Sequence, residues 1–68
     1  MNEETFNLSI RKFLKIVGIN SQREIEQAVR KALEEGRIAG NESFPATVTL
    51  EVSGLNLHFK LDGEIKLE

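Results

Sequence analysis

His58 is the only imidazole in this chain of 68 residues. Imidazole is the side chain best suited to proton transfer or metal ligation near neutral pH. Its surroundings decide which of these is available. The alternation of the C-terminal residues places His58 in the middle of a sheet, on the solvent row, between Thr49 and Lys66. Glu51, Asn56 and Glu68 form the adjacent row, so two carboxylates stand on diagonals from the ring. Such a set could make a weak metal site or an acid–base pair. Lys66 beside the ring opposes a bound cation, and a flat sheet face has no cleft to exclude water. The expectation is an exposed strand histidine without a catalytic role.

The other reactive side chains point the same way. Ser9, Ser21, Ser43 and Ser53 include no nucleophile elbow, and no histidine–acid pair gathers around any of them. The glycines form neither a GxGxxG nor a GxxxxGK run, so nothing cradles a phosphate. Glu3-Glu4 and Glu34-Glu35 fall on helices, where paired acids serve a solvated face. No cysteine is present, which removes disulfides and thiolate zinc sites together. No catalytic residue, cofactor or metal is expected, and the chain is read as a non-enzyme.

Length and composition set further bounds. Sixty-eight residues fit one domain, residues 1–68, with one small core and a thin stability margin. Domains of this size often gain support from a partner chain. Residues 1–40 carry seven basic and six acidic groups, and residues 41–68 carry two and five. Neither half has the excess of positive charge that announces nucleic acid. Glu3 and Glu4 stand where a secretory signal would be basic, and no apolar run reaches membrane-spanning length. A cytoplasmic setting without membrane contact is expected.

The positioning elements follow from periodicity. Asn2 as N-cap and the stripe Phe6, Ile10, Phe13, Leu14, Val17 predict a helix from Glu3 to Val17, ended by Gly18. Ser21 with Glu24 reads as a capping box that opens a second helix. Its apolar stripe is Ile25, Ala28, Val29, Ala32, Leu33, and Gly36 closes it. Residues Arg37 to Pro45 read as a connection. From Ala46 the period is two. Ser53-Gly54 fits a two-residue turn that pairs Val52 with Leu55, Leu50 with Leu57 and Val48 with Phe59. A second loop, Leu61-Asp62-Gly63, with Gly63 left-handed in a bulge, sets Lys60 opposite Glu64 and Phe59 opposite Ile65. The fold expected is α+β, a two-layer ααβββ arrangement with two helices on one face of a three-stranded antiparallel meander. Its apolar face comprises Val48, Leu50, Val52, Leu55, Leu57, Phe59, Ile65 and Leu67, against Phe6, Ile10, Phe13, Val17, Ile25, Val29 and Leu33.

The segments MNEETFNLSIRKFLK, VGINSQREIEQAVRKAL and DGEI resemble a family of very short, uncharacterised bacterial proteins. The resemblance spans essentially the whole chain. It implies no activity and no residue role, since that family has no assigned function.

What the residues do offer is places for a partner. Leu8 lies opposite Phe6 and Phe13, ringed by Arg11, Lys12 and Lys15, the beginnings of a protein-contact surface. The first strand, with Thr47, Thr49 and Glu51 on its polar row, is a weakly charged edge guarded at its start by Pro45. Pairing with a second copy there would make a homodimer with a six-stranded sheet. The leading expectation is a protein-interaction module whose partner is an unknown protein or itself. The alternative is a winged-helix-like nucleic-acid-binding domain with Arg23 and Arg30 as readers and Lys60 touching phosphate. The acidic hairpin, Leu14 in the turn and the missing third helix count against it.

Overall fold

One helix, α1, takes the place of the two expected. In the computed structural model, which describes all of residues 1–68, α1 runs without a break from Glu3 to Glu34. Asn2 caps it as expected, its side-chain oxygen accepting from the Thr5 N–H at 3.0 Å. Glu3 and Glu4 occupy the first turn, where the helix dipole favours negative charge. The expected break at Gly18 does not occur. A helical glycine costs only about 1 kcal/mol relative to alanine. Breaking the helix there would sacrifice several backbone hydrogen bonds and leave two more ends to cap. Asn20, expected in the turn, donates from its side chain to the Ile16 carbonyl one turn back, at 2.8 Å. Ser21 is a half-buried helical residue, not a cap.

The C-terminal end of α1 is formed as expected. Gly36 takes a left-handed φ of 70°. Its N–H donates to the Leu33 carbonyl at 3.1 Å, and the Arg37 N–H to the Ala32 carbonyl at 2.9 Å. These two bonds satisfy carbonyls that the helix leaves without donors, and only glycine adopts that φ without strain.

Two strands replace the expected three. β1 spans Ser43–Val52 and β2 spans Leu57–Lys66, antiparallel along their whole length. β1 begins before Pro45 and not after it, so it is long enough to pair with all of β2. Asp62-Gly63 is no turn. Thr47 faces Asp62 and Ala46 faces Gly63 in a continuous ladder. The bulged register fails with it: Lys60 faces Thr49, Phe59 faces Leu50, and Ile65 faces Phe44.

The hairpin turn is also longer than expected. Val52 pairs with Leu57, leaving Ser53 to Asn56 as the connection, with Ser53–Leu55 in a 3-10 turn. The left-handed residue is Asn56, at φ 54°, and not the glycine. Asparagine is among the few residues that tolerate this conformation. The shift of register is two residues, which preserves parity. The apolar row is therefore Phe44, Ala46, Val48, Leu50, Val52 opposite Ile65, Gly63, Leu61, Phe59, Leu57. Leu55 leaves that row for the turn and is 73% exposed.

The chain divides into two compact units, Met1–Arg37 and Ile38–Glu68. Ala32, 8% exposed, is the one buried residue, while sixteen large apolar side chains from both units are exposed.

Candidate interaction surface

The continuity of α1 regroups the residues that the sequence marked as contacts. Residues four or three apart stack on one helical face. Leu8, Lys12, Lys15, Ile19, Arg23, Glu26 and Arg30 follow that spacing and form one row along the side opposite Phe13 and Val17. Candidates expected on two helices, for protein and for nucleic acid, thus share a face of one helix. Arg11 lies off this row, toward its flank. Leu8 is 57% exposed, and none of Arg11, Lys12, Lys15, Arg23 or Arg30 has an acidic partner within 4.0 Å. Ile19, expected in a turn, gives the row a second exposed apolar residue. Neither it nor Ile16 was among the expected contacts. Only the helical path through Gly18 sets Ile19 three turns from Leu8 on the same side.

The opposite side of α1 carries the longer apolar row. Phe6, Ile10, Phe13, Val17, Ser21, Ile25, Ala28 and Ala32 follow each other at helical spacing from one end to the other. Phe6, Ile10, Phe13 and Ile25 are exposed, and Val17 and Ser21 half-buried.

In the hairpin, the polar row holds Thr47, Thr49, Glu51, His58 and Lys60. The Thr47 hydroxyl donates to the Asp62 carboxylate at 3.1 Å, and the Ser43 hydroxyl to Glu64 at 2.8 Å. Glu51 faces His58, with Oε1 and Nδ1 3.7 Å apart. This replaces the expected place of His58 between Thr49 and Lys66. Both groups are well exposed, so the pair contributes little to stability. No three acidic or histidine side chains converge where a cation could be held.

The ladder also fixes what β1 presents at its open edge. Leu67 N–H donates to the Glu42 carbonyl at 2.9 Å, so residues 42 and 67 are a hydrogen-bonded pair. Such pairs alternate along an antiparallel ladder. The bonded residues of β1 are therefore the even ones, Phe44 to Val52. The N–H and C=O groups of Thr47, Thr49 and Glu51 point outward. Pro45 falls in the outward set, where its missing donor costs the hairpin nothing. On β2 the outward set is His58, Lys60, Asp62, Glu64 and Lys66, a charged edge that discourages strand addition.

A third local device organises the connection between the units. The Glu42 carboxylate accepts from three successive backbone N–H groups, Ala39 at 2.8 Å, Gly40 at 2.9 Å and Asn41 at 3.2 Å. These bonds, Ala39 foremost and Gly40 next, hold its carboxyl below the usual carboxylate range. Gly40 sits at φ 104°, which a side chain would strain.

The winged-helix reading loses its geometry here. It needs two helices around a turn, and residues 18–21 are helical. Arg23 and Arg30 remain together on α1, while Lys60 belongs to β2, opposite Thr49. No helix is long and apolar enough to cross a membrane.

No curated protein and no solved structure matches this chain. A family model matches over residues 1–68, the full length resembled by the opening, middle and closing segments. The chain belongs to the family of unknown function DUF6494.

Proposed function

We propose that this chain is a non-enzymatic, cytoplasmic protein-interaction module whose fold is completed by association. The observation that carries this reading is the ratio of exposed to buried apolar side chains: sixteen large ones exposed, and Ala32 alone buried. A hairpin of two strands is marginal in water without something packed on its apolar face. An amphipathic helix likewise draws most of its stability from packing. Exposed apolar surface on this scale marks a contact surface. The α1 row from Phe6 to Ala28 and the hairpin row from Phe44 to Leu57 are the proposed surfaces. Leu8 with Lys12 and Lys15, and the outward groups of Thr47, Thr49 and Glu51, are secondary ones.

The test is the behaviour of the purified chain alone. At low concentration we expect weakly protected amides, binding of an apolar-surface dye and a broad thermal transition. A monomer with a sharp transition, strongly protected helix and strand amides and no dye binding would overturn the reading.

A further inference from the structure

We draw no further inference here: the strongest candidate, the apolar face of α1 from Phe6 to Ala28, carries nothing beyond the association reading because nothing in the structure shows what covers it.

Discussion

Thr47 and Asp62 face each other across the hairpin, hydroxyl to carboxylate at 3.1 Å. The contact lies where Asp62-Gly63 resembles a turn, and it shows that β2 passes through that dipeptide as ordinary strand. Gly63 then needs no left-handed backbone, and a Cβ added to it would meet nothing within 4 Å. Gly63→Val should stabilise the hairpin by about 0.5–1 kcal/mol, because valine suits strands and glycine weakens them. Chemical denaturation would measure this. A loss of stability would mean that Gly63 sits in a turn after all.

The two glycines of the helical unit should respond in opposite directions. Gly18 lies inside α1 with open space around it, so Gly18→Ala should stabilise by roughly 0.5–1 kcal/mol. Gly36 holds a left-handed φ of 70°, and Gly36→Ala should cost about 1–2 kcal/mol. Thermal unfolding followed by helical circular dichroism would compare them. A destabilising Gly18→Ala would indicate a bend at residue 18.

The Glu42 loop should be pH-dependent. The Glu42 carboxyl titrates below its ordinary value because the N–H groups of Ala39, Gly40 and Asn41 favour its charged form. For a group with a lowered folded-state pKa, the contribution to order is complete above the ordinary carboxylate pKa and is lost as pH falls through the lowered one. Amide shifts of Ala39 and Gly40 should therefore stay constant from neutral pH into the mildly acidic range and change only at strongly acidic pH. Glu42→Gln should remove that transition. A midpoint at or above the ordinary glutamate value would show that the three bonds do not form in solution.

Thr49→Pro tests which backbone groups β1 turns outward. The Thr49 N–H points away from β2, so its removal spares the hairpin ladder. We expect the variant to keep the amide protection of its hairpin, with only modest strain from the fixed proline φ. Loss of the hairpin in this variant would mean that the Thr49 N–H bonds to β2.

Several of these features were legible in the sequence, and the failures share a cause. Asn2, the helical stripes, the Gly36 terminus and the apolar parity of the strands follow from local chemistry, and each was readable. Gly18 and Asp62-Gly63 look like breaks because they suit turns, yet neither compels one. Whether a helix continues through a glycine depends on the bonds that flank it, which residue type alone does not reveal. The same blindness hid part of the candidate surface. Leu8, Lys12 and Lys15 were recognisable as a patch, but Ile19, Arg23 and Arg30 join their row only once the helix is continuous.

The bond from Leu67 to the Glu42 carbonyl has a kinetic consequence. It joins the residues furthest apart in sequence among the hydrogen bonds outside regular elements, and it still lies within the hairpin unit. Helix and hairpin can each form from contacts near in sequence, with little entropy spent on closing long loops, and such elements form within microseconds. If association buries the apolar faces, as proposed, gathering them from separate chains is the slow event, and it is second order. Secondary structure should appear at a rate indifferent to protein concentration, while the burial that stabilises it should accelerate as concentration rises.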